Sequence, residues 1–231
     1  PDRRRRAGRR PLLDQPAPDR LGRDLVGEDG GAEEPDLDAD AEELGQLLPL
    51  LRQRDMHSIR SWLLRRLSSQ GLRLFVQNTV ANANTEIGRA WERGELAVHE
   101  EHLYTEQIQS LLRQAMHEMY ADPVPPRVML TTVPGEQHAL GCLMVEAVLR
   151  LDGCEVIPFG TEMPFQEIIE AAVCHRVDVV GLSFSSAFPG TDAVVALAGL
   201  RQMLSPEIQI WAGGAPGFAS APSIRSTTRR L

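Results

Sequence analysis

The stretch "VMLTTVPGEQHALGCLMVEAVLRL", residues 128–151, decides how the second half of the chain is built. Its first six residues are apolar or β-branched and read as a buried strand. From His138 to Leu151 apolar residues recur at helical spacing. Between strand and helix lies a loop carrying an acid, Glu136, two residues before a histidine, His138. Such a pair can aim one imidazole nitrogen at a metal while the carboxylate holds the other.

Outward from this stretch the grammar alternates. Cys154–Phe159 reads as a strand, Phe165–His175 as a helix, Val177–Phe184 as a strand, Asp192–Leu204 as a helix and Ile208–Ala212 as a strand. Strands with near-continuous apolar runs between helices predict a parallel, doubly wound sheet of the flavodoxin-like (Rossmann-like) kind over residues 127–231. In such sheets ligands bind beyond the carboxyl ends of the strands. The loop GEQHALG, the serines Ser183 and Ser185, and Gly213-Gly214 all fall on that rim.

Before the sheet, residues 41–122 carry four amphipathic patterns: Leu47 to Leu51, Ile59 to Leu67, Val76 to Trp91, and Tyr104 to Met116. Short connections between them predict an antiparallel four-helix bundle. The segment Asp122-Pro123-Val124-Pro125-Pro126 reads as a hinge, because proline lacks the N–H a helix needs. Residues 1–40 are rich in Pro, Gly, Arg and Asp without periodicity and read as a disordered linker. After Gly214 only 17 residues remain, with no strand-like alternation. The sheet domain is therefore expected to be incomplete, with Ile208–Ala212 as an exposed edge.

Composition sets limits. The chain has 231 residues, 42% hydrophobic, with a net charge of −8. All 24 basic residues are Arg; arginines crowd residues 3 to 23, where eight of them lie, and acids crowd 24 to 43. No apolar run approaches the roughly 20 residues of a membrane span, and the Arg-rich start lacks the apolar core of a signal peptide. Cys142, Cys154 and Cys174 form no CxxC pair, which fits a reduced, cytoplasmic protein.

The rim residues resemble the cobalamin-binding signature Asp-x-His-x-x-Gly, about 41 residues, Ser-x-Leu, about 27 residues, Gly-Gly. Here Glu136-x-His138-x-x-Gly141 precedes Ser183 by 41 residues, and 27 residues separate Ser185 from Gly213-Gly214. Glu136 stands for the Asp and Ser185 for the Leu. The resemblance implies His138 as the cobalt ligand with Glu136 behind it. Ser183 and the glycines would then accommodate the cofactor's benzimidazole tail, and the Ser185 exchange would alter packing beside it.

A second motif lies in the bundle. Trp91 is followed by nine residues and then Glu101-His102, which is similar to the upper-face signature of the CarH/LitR-like photoreceptors, MerR-type regulators that bind adenosylcobalamin. The resemblance implies that Trp91, Glu101 and His102 cover the adenosyl group. It also implies a light-responsive transcriptional regulator, not an enzyme, that acts as a homo-oligomer or with a partner regulator. Promoter DNA would be reached only through an N-terminal DNA-binding domain absent from this sequence. Where these photoreceptors carry a His directly after the Trp, this chain has Glu92, with His99 nearby as a substitute. His57, His117 and His175 read as surface residues. Alternative functions are an AerR-type antirepressor, a corrinoid carrier for methyl transfer, and a two-domain protein holding no cofactor.

Overall fold

The computed structural model describes residues 45–117, 119, 123–214 and, for the backbone, 228–230; the segment 1–40 read as a linker lies outside them. Its first helix, α1 (Leu47–Gln53), buries Leu47 and Leu51 and stops at Arg54, whose φ of 57° turns the chain. Asp55 then caps α2 (Met56–Leu74) by accepting from the Ser58 amide at 3.1 Å and the Ser58 hydroxyl at 2.7 Å. Gly71, at φ 73°, breaks α2 near its end, a conformation that glycine adopts without Cβ strain.

The third helical pattern, read as continuous from Val76 to Trp91, is split. A π-helical turn, Phe75–Val80, precedes α3 (Ala81–Glu92). The wider turn lets Phe75, Val76, Thr79 and Val80 all face inward, more than one α-helical face could bury. Gly94 ends the segment at φ 69°. In α4 (Val98–His117), Glu100 reaches back to the Ala97 amide at 2.9 Å and closes the first turn. Ile59, Phe75, Ile87, Tyr104, Ile108 and Leu112 form the centre of the bundle core.

The sheet follows as read. Strands β1 (Val124–Thr131), β2 (Cys154–Pro158), β3 (Val179–Phe184), β4 (Gln209–Gly214) and β5 (Thr228–Arg230) lie in the order β2-β1-β3-β4-β5, all parallel. Helices α5 (Leu140–Leu151), α6 (Phe165–Cys174) and α7 (Gly190–Met203) connect the first four. Alternation along the strands separates two faces. Val128, Leu130 and Val179 pack beneath α5 with Leu149, whereas Met129, Val180 and Leu182 pack beneath α6 and α7.

Two expectations are corrected. The Val124–Pro126 segment is no hinge. The Val124 amide bonds the Gly153 carbonyl at 2.8 Å, and the two prolines lie in the first turns of β1, where the ladder shifts register. Proline is tolerated at the start of a strand, where few ladder bonds are asked of it. The tail also supplies a fifth strand where none was expected, so Ile210, Trp211 and Ala212 pair with Thr228, Arg229 and Arg230 instead of ending the sheet.

Helix α5 joins the two halves. Leu143 and Ala147 belong to the bundle core, with Leu140, Met144 and Val148 against it. On its opposite side Val145 and Leu149 pack on the sheet. A helix apolar on more than one face can pack on both sides, as α5 does between bundle and strands.

Candidate functional site

At the carboxyl end of β1 the chain turns through buried Thr132 and Val133 into the loop before α5. The Thr132 hydroxyl donates to the Glu136 carbonyl and accepts from the Glu162 amide at 2.8 Å, so it ties two rim loops together. Glu136 is 1% exposed, which would penalise a lone carboxylate. It is not alone. One oxygen accepts from the His138 amide at 2.9 Å and faces His138 Nδ1 at 2.6 Å. The other accepts from the Ser185 amide at 2.7 Å and the Ser185 hydroxyl at 2.8 Å. Burial pushes the carboxyl up, but these bonds from Ser185 and His138 outweigh it and hold Glu136 below the usual carboxylate range.

An ionised carboxylate only accepts, so the short contact puts a proton on Nδ1 of His138. In a neutral ring Nε2 is then the nitrogen with the free lone pair, and the side chain is 62% exposed at the rim. Among the described residues no three His, Cys, Asp or Glu side chains converge as a metal-binding group. A single oriented nitrogen suits a metal whose in-plane positions are filled by a macrocycle. A bare ion such as zinc takes three or four protein ligands. The donor set thus fits cobalamin.

Beside the relay lies a cavity of about 600 Å³, lined by Glu136, His138, Phe165, Ser185, Phe188 and Asp192 among others. The other rim residues pack closely. A Cβ on Gly141 would fall 2.2 Å from the Ser183 hydroxyl, so glycine is what lets α5 approach β3. Cys142 also meets Ser183, and burial pushes its thiol up to about 12. Gly213 pairs with Ser183 across the ladder. Gly214 sits at φ 132°, where a Cβ would run into the Phe184 carbonyl. Gly141 and Gly214 therefore have packing reasons of their own.

In the bundle, Trp91 does not join the core that takes Val80 and Ile87; it is 50% exposed at the end of α3. Glu101 and His102 stand in the first turn of α4. Glu101 faces His102 Nδ1 at 2.9 Å and accepts from the Thr105 hydroxyl at 2.7 Å, which leaves the His102 ring 70% exposed. Among the described residues no hydrogen bond or ion pair joins these three to the His138 loop. Tyr104, one turn on in α4, bonds Asn84 at 2.7 Å, and Asn84 contacts the Met144 sulfur of α5 at 3.4 Å. His99 is exposed, 4.0 Å from Glu100.

The sequence reading missed Ser185 as a partner of Glu136. Its position on the rim in Ser-Phe-Ser was the available signal, since residues 183 and 185 point to the same side of a strand.

Residues 126–225 match the B12 binding domain, and residues 44–116 match a second B12 binding domain. The chain is 32% identical over 148 residues to the HTH-type transcriptional repressor CarH of Myxococcus xanthus, covering 63% of this chain and 47% of that protein. It thus spans about half that repressor's length. It is 27% identical over 149 residues to dimethylamine corrinoid protein 1 of Methanosarcina acetivorans, covering 61% of this chain and 68% of that one. The fold is similar to that of the Methanosarcina barkeri monomethylamine corrinoid protein. That superposition has a TM-score of 0.60 at 15% identity, and it covers 83% of this chain and 93% of that chain.

Proposed function

Because the chain belongs to the cobalamin-binding proteins, we propose that it is the sensor module of a transcriptional regulator, answering to light through adenosylcobalamin. The observation that carries this reading is Trp91. A tryptophan half exposed at the end of α3, with the Glu101–His102 pair near the start of α4, offers a flat surface and polar groups suited to a nucleoside. When bound, the cofactor supplies a cobalt–carbon bond that light can break.

The chain's own residues do the rest. His138 presents Nε2 from below, and Glu136 keeps the proton on Nδ1 so that this nitrogen stays available. Trp91 would stack on the adenine, Glu101 would accept from ribose hydroxyls, and His102 would close the same end. Ser183, Gly141, Gly213 and Gly214 would flank the cofactor's tail where β3 meets β4 and α5. Without an adenosyl group the Trp91 and Glu101 contacts would be missing, and the module would shift between two states. With Glu92 after the Trp, the bundle offers a carboxylate at that position and no imidazole. Binding of promoter DNA, assembly into oligomers and the absence of enzymatic activity in the whole regulator belong to this proposal.

A second reading, a corrinoid carrier for methyl transfer, is favoured by the likeness to dimethylamine corrinoid protein 1. A carrier must leave the cobalt's upper face open to partner enzymes, and Trp91 is the residue that separates the two. Affinities for adenosyl- and methylcobalamin are to be measured in the wild type and in Trp91→Ala. The sensor reading expects a preference for the adenosyl form that Trp91→Ala abolishes. No preference, or one that survives the substitution, favours the carrier.

A further inference from the structure

We propose that Ser185 is the positioning residue for the axial histidine: its hydroxyl pins the Glu136 carboxylate so that one oxygen is reserved for His138. The inference rests on the reading of His138 as the cobalt ligand and extends it to a position where the signature has a leucine.

The geometry divides the carboxylate cleanly. Both donors of Ser185 go to one oxygen, the amide at 2.7 Å and the hydroxyl at 2.8 Å. Both donors of His138 go to the other, the amide at 2.9 Å and Nδ1 at 2.6 Å. A carboxylate oxygen has two in-plane acceptor positions, so each oxygen is filled by one residue. A backbone amide alone would hold Glu136 near β3 and leave the carboxylate free to twist about its last bond. The hydroxyl supplies the second point that fixes the plane, and the plane sets which way the imidazole faces. Ser185 is suited to this because it follows β3 directly, where Phe184 is paired with Gly214 of β4. Glu136 and His138 lie in a loop, so the sheet is the rigid reference and Ser185 connects the loop to it.

The Ser185 side chain also lines the cavity beside the relay. The leucine that the cobalamin signature places here has no donor, so this contact is peculiar to chains with a hydroxyl at the position. Ser185 touches neither metal nor cofactor in this account; it acts through Glu136.

The experiment uses the full chain and aquocobinamide, a corrinoid without a benzimidazole tail, so that any axial nitrogen comes from the protein. Ser185→Thr and Ser185→Val have nearly the same shape, and only the first keeps a hydroxyl. The expected result is nitrogen-ligated absorption in the wild type and in Ser185→Thr. Ser185→Val should bind roughly tenfold more weakly, in line with other partners of metal-ligating histidines, and should show a smaller nitrogen-ligated fraction at saturation. Ser185→Ala repeats the hydroxyl loss without the added bulk. If Val and Ala variants ligate and bind like Thr, the positioning role is overturned. If the wild-type spectrum shows no axial nitrogen, or is unchanged in His138→Ala, the cobalt-ligand reading itself falls and the role of Ser185 with it.

Discussion

Replacing Glu136 by Gln changes one atom and tests the relay directly. The carboxylate now receives four donors, two from Ser185 and two from His138. An amide has a single oxygen, so two of the four must face an NH2 group instead. If the oxygen stays with Ser185, the amide donates to Nδ1, the imidazole carries its proton on Nε2, and no lone pair remains for cobalt. If the oxygen turns to His138, the buried Ser185 donors lose their acceptor. Hydrogen bonds to a charged group contribute about 1.5–3 kcal/mol each. With part of the loss recovered by local rearrangement, the cofactor-free protein should lose about 2–4 kcal/mol of stability. Urea denaturation with an unchanged m value measures that loss. Titration with adenosylcobalamin should show affinity reduced roughly 10–100-fold. The reasoning fails if Glu136→Gln binds within about twofold of wild type and its bound spectrum keeps the axial nitrogen.

Three further outcomes follow from the same site. Glu136 titrates below its ordinary value of 4.5 in the folded chain, so its stabilisation is complete above that value and is lost as pH falls below it; denaturation midpoints should therefore drop in that acid range for wild type and less steeply for Glu136→Gln. Gly141→Ala places a Cβ 2.2 Å from the Ser183 hydroxyl but 3.4 Å from its Cβ, so in a Ser183→Ala background its cost should fall by about 1 kcal/mol, a coupling read from a double-mutant cycle. With iodoacetamide at mildly alkaline pH only exposed Cys174 should react quickly, since burial raises the thiols of Cys142 and Cys154 and only thiolates react; three equally fast thiols would contradict the packing around α5.

The alternation of apolar strands and amphipathic helices made the parallel sheet and its covering helices legible, because each element's period is written in its own residues. The convergence of residues 136–141, 183 and 213–214 on one rim followed from topology alone. What escaped the sequence depends on contacts between distant segments. Ser185 looked like a lost packing residue because a one-letter exchange does not disclose which carboxylate its hydroxyl meets 49 positions away. Trp91 shares a helical face with Ile87, yet the fold leaves Ile87 buried and Trp91 half exposed. The π-turn at Phe75–Val80 arises from packing four of six consecutive side chains inward, which no single-helix period describes. The strand at Thr228–Arg230 lacks alternation, since backbone pairing with β4 needs none.

Helix α5 is counted in two cores at once, Leu143 and Ala147 in the bundle and Val145 and Leu149 over the sheet. The two halves therefore have no independent melting behaviour to fall back on. Removing the bundle would strip Leu140, Leu143, Met144, Ala147 and Val148 of their cover, and the exposed stripe would invite aggregation of the sheet on its own. Unfolding should be one cooperative transition despite the two-part architecture. The same sharing means that any tilt imposed on the first turn of α5, where His138 stands two residues ahead of Leu140, is felt by the bundle core without a dedicated connecting segment.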